Sequence, residues 1–326
     1  MRLKKRICIT NSVYCLLLYL LDSDFEDLKN TTYYFQEAIS DAVASRFDSW
    51  ERIVVPKYTF RRKLLWLFML ALKFRLRFLF CKGLEFFALD HIDIAAPIIG
   101  RHHYTALADS PHCYKRYAMG NGVYLNNLQT RVDRWKYNFV RKLIGPIWGR
   151  TLSMNKYCNW IINEYFDCAD YVCGIPQSSS TILERWKLAD EQKRNYILNV
   201  FGMSDILCRN LTKYDSILFT QPLVEDCGLN NDEVISIYRK LLQDNDVERC
   251  VIKAHPRDHF NYEKSFPNCI VVRTPAPFQL FAAIGCRYRI GLTICSTAVQ
   301  VLPKDTKIVY AGASVHPKIE DAYGRG

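Results

Sequence analysis

Apolar runs that predict buried strands alternate with amphipathic stretches along most of the chain. In the first half, runs rich in β-branched and aromatic residues predict strands near 3–10, 52–56, 84–90 and 103–108. Each run is followed by a stretch that is long enough for a helix or a loop. Residues 110–160 show little periodicity and are rich in Tyr, Asn, Arg and Trp, which predicts loops and short helices there.

The alternation is more regular in the second half. Strands are predicted at 215–220, 250–253, 269–272, 289–293 and 307–310, and helices are predicted to begin at Asn231, Pro277 and Ser296 and to end near 242, 283 and 302. A strand–helix progression of about 110 residues is typical of one Rossmann-like domain. The predicted fold class is therefore α/β, with an N-terminal domain over 1–205 and a C-terminal domain over 206–326.

Length and charge add to this picture. The chain has 326 residues, of which 49% are hydrophobic. At about 150 residues per domain the length fits two domains, and the apolar content excludes disordered and collagen-like proteins. Residues 51–150 contain eighteen basic and six acidic side chains, whereas 151–326 contains twenty of each. A basic excess confined to one segment predicts an anionic partner, such as nucleic acid, phospholipid or an anionic glycan.

Two segments have a composition that could meet a membrane. Residues 61–80 combine leucines and phenylalanines with Lys73, Arg75 and Arg77. Such a helix can lie in a bilayer interface against anionic lipid, or it can be a core helix with a solvated basic edge. The first 21 residues have the outline of a signal peptide, but a buried strand that leads into a helix fits their polar residues better.

The most distinctive local pattern is Lys253-Ala254-His255-Pro256-Arg257-Asp258. Pro256 ends the preceding strand, so His255 lies at its carboxyl end, where open α/β sheets bind ligands. Lys253 lies on the same side of the strand, two residues earlier. An imidazole beside cations suits protonation or charge stabilisation of a phosphate leaving group. The alternative is a histidine in an ordinary turn, with Arg257 and Asp258 as a surface ion pair.

Two other predicted strand ends carry polar groups. Ser296 and Thr297 follow the strand at 289–293 and open a helix, where hydroxyls and free backbone N–H groups can bind a phosphate. Glu225 and Asp226 follow another strand end, where a carboxylate can act as a general base. Each pair also has a simpler interpretation, as a helix cap. Because the carboxyl ends of parallel strands share one sheet edge, the acid, base and phosphate-site candidates converge on one crevice.

Signatures of other chemistries are missing from the sequence. It contains no Walker A loop, no nucleotide-binding glycine triplet and no nucleophile elbow. His102, His103 and His112 lack the spacing of a zinc pair on a helix. Asp22-Ser23-Asp24 is interpreted as a helix cap rather than a metal site. We therefore expect no metal and no cofactor.

Taken together, these segments resemble a known family, the bacterial lipooligosaccharide sialyltransferases, glycosyltransferase family 52. The similarity lies in Arg6–Thr10, Asp90–Ile92, Thr220–Pro222, the Lys253-x-His255-Pro256-Arg257 pattern, Thr274–Phe278 and the Ser296-Thr297 pair. The histidine–proline pattern with a downstream Ser/Thr pair is shared across several bacterial sialyltransferase families. Each segment alone is weak, whereas the set is fairly specific.

The resemblance implies a GT-B arrangement, in which two Rossmann-like domains face a cleft and the C-terminal one binds CMP-sialic acid. It implies an inverting, metal-independent transfer to a hydroxyl of a lipooligosaccharide or capsular glycan. By position, His255 is the acid that assists the departure of CMP, and the base is Asp226, which is preferred, or Glu225. The implied donor-binding residues are Lys253, Pro256, Gln279, Ser296, Thr297 and Gln221.

Two positions depart from the family pattern. Ala108-Asp109-Ser110 stands where the family carries an acidic pair before a glycine, so Asp109 is a further catalytic candidate. Gln279 stands where related enzymes have a glutamate that holds the ribose diol, and an amide can bind a hydroxyl only without charge assistance. These departures keep another nucleotide-sugar donor open as an alternative. A non-enzymatic protein that binds membranes or nucleic acid through 51–150 is a further alternative, although no RNA- or DNA-binding motif is present.

The expected partners are a nucleotide-sugar donor and a lipid-linked glycan acceptor, with peripheral membrane contact through 61–80 and no nucleic acid. Thirteen cysteines without zinc spacing are typical of a reducing compartment. We therefore expect a cytoplasmic protein that is peripheral on the inner face of the bacterial inner membrane. The oligomeric state stays open, and a homodimer is one possibility.

Overall fold

The structure is a computed structural model. It describes residues 5–54, 60–89, 92–100, 102, 104–107, 158–161, 177–178, 182–296, 298–299, 302–303 and 305–324. The chain divides into two compact units, Met1–Val200 and Phe201–Gly326. The sequence had placed the domain boundary slightly later, between 205 and 206.

The first unit is built on a seven-stranded parallel sheet in the order β3-β2-β1-β4-β5-β6-β7. Its strands are β1 (Arg6–Thr10), β2 (Thr31–Phe35), β3 (Trp50–Arg52), β4 (Glu85–Leu89), β5 (Tyr104–Leu107), β6 (Cys158–Ile161) and β7 (Gln177–Ser178). All six neighbouring pairs run parallel. This sheet confirms the predicted α/β class for the first half of the chain.

Seven helices accompany this sheet in the part of the chain that the structure describes. They are α1 (Val13–Asp22), α2 (Phe25–Lys29), α3 (Asp41–Ala44), α4 (Phe60–Phe78), α5 (Ile92–Ile99), α6 (Ile182–Leu188) and α7 (Glu191–Val200). Within the described ranges, none of the helices is both long enough and apolar enough to cross a bilayer.

The N-terminal segment folds as the sequence predicted, with a buried strand that leads into a helix. Ser12 accepts hydrogen bonds from the backbone N–H groups of Tyr14 and Cys15 and thereby caps α1. Positions 14–21 of that helix are all buried. A helix that is apolar on every side is stable only when neighbours cover it, which explains the resemblance to a signal peptide.

Three predictions for the first unit need correction. The strand predicted near 52–56 lies earlier, as β3 at Trp50–Arg52. The strand β2 was missed, although its sequence Thr-Thr-Tyr-Tyr-Phe has high strand propensity and all five residues are buried. Strand β6 begins inside 110–160, where only loops and short helices were predicted. Pairing with β5 places Cys158 opposite Tyr104, so a tertiary contact rather than local periodicity defines this strand.

The second unit has a five-stranded parallel sheet in the order β10-β9-β8-β11-β12. Its strands are β8 (Ser216–Phe219), β9 (Val251–Lys253), β10 (Ile270–Val272), β11 (Ile290–Thr293) and β12 (Lys307–Tyr310). Its helices are α8 (Asp205–Leu211), α9 (Leu223–Cys227), α10 (Asn231–Gln243), α11 (Tyr262–Ser265), α12 (Phe278–Ala283) and α13 (Pro317–Tyr323), and a 3-10 turn covers Ala313–Val315. Every predicted strand of this half is confirmed, and no end differs from its prediction by more than one residue.

The sequence signals around α10 explain its position. Asn230 and Glu233 form a reciprocal capping box at its start, and Val234, Tyr238, Leu241 and Leu242 face the core. The predicted helix from Ser296 is wrong over the described positions, because Ala298 and Val299 form a 3-10 turn instead.

A further tight turn follows, and its last residue packs against β11. The N–H of Leu302 donates to the carbonyl of Val299, three residues back, which closes a turn tighter than an α-helix. Leu302 then lies over Gly291 in β11, where a Cβ atom would stand 2.2 Å from its Cδ1. A larger residue at 291 would force the Leu302 side chain to move.

Candidate functional site

The sequence-predicted residues of the second unit meet at the carboxyl edge of its sheet, the edge at which β8, β9, β10, β11 and β12 end. His255 follows β9, Gln221 follows β8 and Ser296 follows β11. Because β8 lies between β9 and β11, these two strands are two strand spacings apart, about 10 Å. The predicted convergence of these strand ends on one edge is confirmed for the described residues.

His255 is held by contacts to its backbone and to its ring. Its backbone N–H donates to Oγ1 of Thr220 at 3.1 Å, and its ring Nδ1 accepts the backbone N–H of Arg257 at 3.2 Å. Burial of the imidazole, followed by the nearby Arg257 charge, lowers the pKa of His255 below its ordinary value. At neutral pH the ring is therefore mainly uncharged.

Asp258 is a functional candidate that sequence reasoning missed. It was considered only as half of a surface pair with Arg257, and that alternative is wrong, because Asp258 is just 3% exposed. Its Oδ2 accepts the hydroxyls of Thr220 at 2.5 Å and Tyr262 at 2.8 Å, and its Oδ1 accepts the N–H of Phe260 at 3.1 Å. Its proximity to the His255-Pro256 pattern was the only available signal.

Lys253 ends β9 and is half-buried. Its Nζ donates to the carbonyl of Thr274 at 3.0 Å. Burial lowers the pKa of this ammonium to about 8. The side chain is thus still mostly charged at neutral pH, and a bound anion would stabilise that charge.

Asp226, the preferred base, is engaged in an ion pair. Arg257 donates to both of its carboxylate oxygens, at 2.6 and 2.8 Å, and the hydroxyl of Tyr323 donates to Oδ2 at 3.1 Å. The Arg257 hydrogen bonds hold the pKa of Asp226 below its ordinary value. Glu225 accepts the backbone N–H of His259 at 3.0 Å. The base role of either carboxylate stays a prediction.

The remaining predicted residues occupy varied positions. Ser296 is half-buried; its N–H donates to Oγ1 of Thr293 at 3.0 Å and its Oγ accepts the N–H of Ala298 at 3.3 Å. The N–H of Gln221 donates to the hydroxyl of Tyr238 at 2.9 Å, which fixes the turn after β8. Pro256 is exposed and Gln279 lies half-buried in α12, whereas Asp109 and Thr297 lie outside the described residues.

A recess of about 450 Å³ opens at the same edge, beyond β11 and β12. Its lining includes Cys295, Tyr310, Gly312 and Tyr323. Tyr323, whose hydroxyl donates to Asp226, lines this recess, whereas His255, Lys253 and Ser296 do not. Across the residues whose placement is described, no group of three or more His, Cys, Asp and Glu side chains could hold a metal ion.

A comparison with protein families decides the assignment. The family model described as Glycosyltransferase family 52 matches residues 151–319, which includes the whole carboxyl edge. The chain belongs to glycosyltransferase family 52. Membership confirms the resemblance found in the sequence and, with it, the predicted glycosyltransferase class.

One curated relative of this family 52 member is an uncharacterized protein of Haemophilus influenzae. The two are 32% identical over 143 residues, which is 44% of this chain and 46% of the relative. The matched stretch thus spans less than half of the relative's length.

Solved structures with a similar fold come from Photobacterium. A sialyltransferase of Photobacterium damsela is similar over 94% of this chain and 73% of its own, with a TM-score of 0.58 and 11% identity. Residues 113–497 of a sialyltransferase from this species, described as its GT-B domain, give a TM-score of 0.58 at 10% identity, over 93% of this chain and 89% of theirs. A Photobacterium 2,6-sialyltransferase, solved with CMP and lactose, gives a TM-score of 0.57 at 11% identity, over 94% of this chain and 71% of its own. The family 52 member therefore has a GT-B type fold, as predicted.

Proposed function

We propose that this protein transfers sialic acid from CMP-sialic acid to a hydroxyl of a glycan acceptor, with inversion and without a metal. The observation that carries the proposal is the meeting of His255, Lys253 and Ser296 at one sheet edge in a member of family 52. The similar Photobacterium 2,6-sialyltransferase was solved with the donor product CMP and the acceptor lactose, which supports this choice of donor and acceptor class.

In the proposed reaction, the acceptor oxygen forms a bond to the anomeric carbon of sialic acid. The bond from that carbon to the CMP phosphate oxygen breaks, and its electron pair leaves with the phosphate. Lys253 and the Ser296 hydroxyl stabilise the departing charge, and His255 contacts the leaving oxygen. The acceptor proton passes to a carboxylate, for which Asp226, Glu225 and Asp109 are the candidates.

The proposed acceptor is a lipid-linked glycan such as a lipooligosaccharide or capsular chain, reached from the cytoplasmic side of the inner membrane. The support is the outer face of α4, which we define by the residues Leu65, Phe68, Met69, Leu72, Leu76, Leu79 and Phe80. Their side chains are between 40% and 91% exposed. Such a continuous apolar surface commonly marks a protein or membrane contact.

The geometry of α4 separates this outer face from the core. At 3.6 residues per turn, Leu67, Ala71, Phe74 and Phe78 share one side of the helix, and all four are buried. The outer face lies on the opposite side. The two interpretations of 61–80 left open by the sequence thus describe two faces of the same helix.

Cations flank the outer face. Arg62, Lys73 and Arg75 are exposed, and Lys82 follows shortly after the helix. Lys73 forms an ion pair with Glu51 at 2.5 Å, so part of the charge is balanced within the protein. An apolar stripe bordered by cations suits the interface of a bilayer that contains anionic lipid. The occupant that we propose for this face is therefore the membrane surface.

The donor is tested by incubating the full chain with CMP-sialic acid and a lactose-terminated acceptor, and measuring CMP release and labelled product. The same assay with UDP- and GDP-sugars tests the alternative donor. We expect turnover with CMP-sialic acid and its retention in EDTA. Turnover with a UDP-sugar alone would replace the proposed donor, and the absence of turnover across the panel would reject the enzyme. Asp226→Asn, Glu225→Gln and Asp109→Asn then rank the candidate bases.

The membrane contact is tested by sedimentation with vesicles of phosphatidylglycerol and phosphatidylethanolamine, and with phosphatidylcholine vesicles as the neutral comparison. We expect binding to the anionic vesicles and at least a tenfold loss in the double variant Leu72→Glu/Leu76→Glu. The matched control is Leu188→Glu, at an 84% exposed leucine of α6. Equal binding by the wild type, the double variant and the Leu188→Glu control would refute the membrane contact. A change between monomer and dimer that only the double variant causes would also refute it, because the outer face would then be a protein interface. Tight, salt-dependent binding to duplex DNA would favour the nucleic-acid alternative instead.

A further inference from the structure

We infer that His255 acts as a neutral hydrogen-bond donor through Nε2–H, in a tautomer selected by its own turn and positioned by Thr220 and Asp258. This inference rests on the proposed function and specifies how the site treats the leaving phosphate. It differs from a role for His255 as a proton-donating acid.

The first step concerns the imidazole ring. A neutral imidazole carries one proton, and the nitrogen that accepts a hydrogen bond is the one without it. Nδ1 of His255 accepts the N–H of Arg257 at 3.2 Å. The single proton therefore resides on Nε2. A proton added to Nδ1 would point at the Arg257 N–H and break this contact.

The second step concerns the backbone that presents the ring. The N–H of His255 donates to Thr220 Oγ1, and the same hydroxyl donates to Oδ2 of Asp258. The backbone N–H of Asp258 donates a hydrogen bond to the carbonyl of His255 at 2.9 Å. Thr220 thus joins the end of β8 to the turn after β9, and the buried Asp258 orients its hydroxyl. Thr220 and Asp258 are positioning residues because they act through His255.

The third step concerns the charges that face the ring. Lys253 of β9 and Arg257 of the turn oppose a second proton, whereas Asp226 of α9 and Asp258 favour one. Both carboxylates are already engaged, Asp226 by Arg257 and Asp258 by three uncharged donors. Burial adds to the two cations, and the balance lowers the pKa of His255.

The consequence for the reaction is that no proton leaves His255. As the bond from the anomeric carbon to the phosphate oxygen breaks, that oxygen keeps the electron pair and accepts a hydrogen bond from Nε2–H. The only proton that moves is the acceptor hydroxyl proton, which goes to the base. Activity should therefore persist as pH rises above the pKa of His255, whereas a histidine that donates its proton would lose activity there.

The experiment reads the tautomer directly. The full chain, labelled with ¹⁵N-histidine, is studied by long-range ¹H–¹⁵N NMR at pH 7.5 with and without CMP, and His255→Gln identifies the signal among seven histidines. We expect a neutral ring with the proton on Nε2 in both states. A proton on Nδ1, or a doubly protonated ring in the CMP complex, would overturn the inference. Because this readout needs no turnover, failure of the donor assay remains distinguishable from failure of the tautomer.

The positioning role is tested with Thr220→Val, which keeps the shape and removes the hydroxyl. We expect kcat to fall about 5- to 30-fold with little change in KM for the donor, together with a mixture of tautomers. The matched control is Thr306→Val, whose buried hydroxyl donates to the Tyr288 carbonyl at 2.9 Å before the start of β12. We expect both variants to lose similar thermal stability. A change in kcat and in the tautomer only in Thr220→Val would support the positioning role. Unchanged kcat and tautomer in Thr220→Val would refute it.

Discussion

The carboxyl edge of the second unit and the outer face of α4 are both candidate contact surfaces, but they are built in opposite ways. At the edge, polar groups come from separate strand ends, and residues such as Thr220 and Asp258, 38 positions apart, hold each other in place. On α4, apolar side chains come from one helix and repeat with its turns. The edge is built by long-range contacts, whereas the outer face is built by local periodicity.

This difference indicates what each surface is suited to. A reacting group needs a fixed position, and the network around His255 supplies one through several directional hydrogen bonds. A fluid bilayer needs no fixed partner, so a stripe of exposed side chains with cations beside it is sufficient. We therefore expect point substitutions to have sharp effects at the edge and graded effects on the outer face.

The largest effect should separate the two sides of α4. Phe74 is fully buried and packs edge-on against Tyr34, whereas Phe80 just beyond the helix is 91% exposed. Phe74→Ala should lower the free energy of unfolding by about 3 to 5 kcal/mol, and Phe80→Ala should change it by less than about 0.5 kcal/mol. Urea denaturation measures both. Equal costs would show that the outer face is also part of the core.

At the edge, His255→Ala should reduce kcat by about 100- to 1000-fold, because it removes a donor aimed at the developing phosphate charge. The matched control is His259→Ala, at an exposed histidine in the same turn. Steady-state kinetics with CMP-sialic acid and urea denaturation separate catalysis from folding. A small loss in His255→Ala, equal to that in the control, would remove His255 from the site.

Lys253 provides a pH test of how the edge is built. Its pKa in the folded state is about 8, below the value of about 10.4 for a free lysine, so the unfolded chain binds more protons between these pH values. Stability from this group is therefore present at high pH and lost as pH falls through 8. Lys253→Met should remove this pH dependence, which amounts to at most about 3 kcal/mol. Urea denaturation at several pH values from 8 to 10.5 measures the free energy of unfolding of the wild type and of Lys253→Met. If Lys253 were solvated, this free energy would change with pH equally in both proteins.

The smallest effect concerns a local contact within the second unit. Asn230→Ala removes one half of the capping box at α10 and should cost about 1 kcal/mol in thermal denaturation. Tyr238 of this helix accepts the N–H of Gln221 and so links α10 to the edge. We expect kcat to stay unchanged in Asn230→Ala, because the lost cap lies at the start of the helix. A large drop in kcat would show that the edge depends on the helix position.

Local patterns allowed much of this fold to be predicted. The strands of the second unit, the start of α10 and the apolar character of 61–80 all follow from periodicity and capping, which involve neighbouring residues. The missed strand β2 is as long as β1 and β4 and has high strand propensity, so its local signal was present and was overlooked. The 3-10 turn at 298–299 was missed because Ser296 is a favoured N-cap residue and therefore matches the local pattern for the start of an α-helix.

The site was predictable only in part, for the same reason. His255, Lys253 and Ser296 were identified because each follows a strand directly. Asp258 was missed because its importance lies in a hydrogen bond from Thr220, 38 positions earlier in the chain. The ion pair between Arg257 and Asp226 spans 31 residues, and without it Asp226 looked like a free carboxylate.

The order of the strands has a further consequence. In both sheets the chain first extends to one side of its opening strand and then crosses to the other, so strand order reverses once, beside β1 in the first unit and beside β8 in the second. At such a topological switch point the loops after the two adjacent strands diverge and leave a crevice. The crevice is formed by the path of the backbone and does not depend on particular side chains. In the second unit this gap lies between Gln221 and Ser296. Substitutions can therefore change the chemistry of the site while the backbone preserves a place for the ligand.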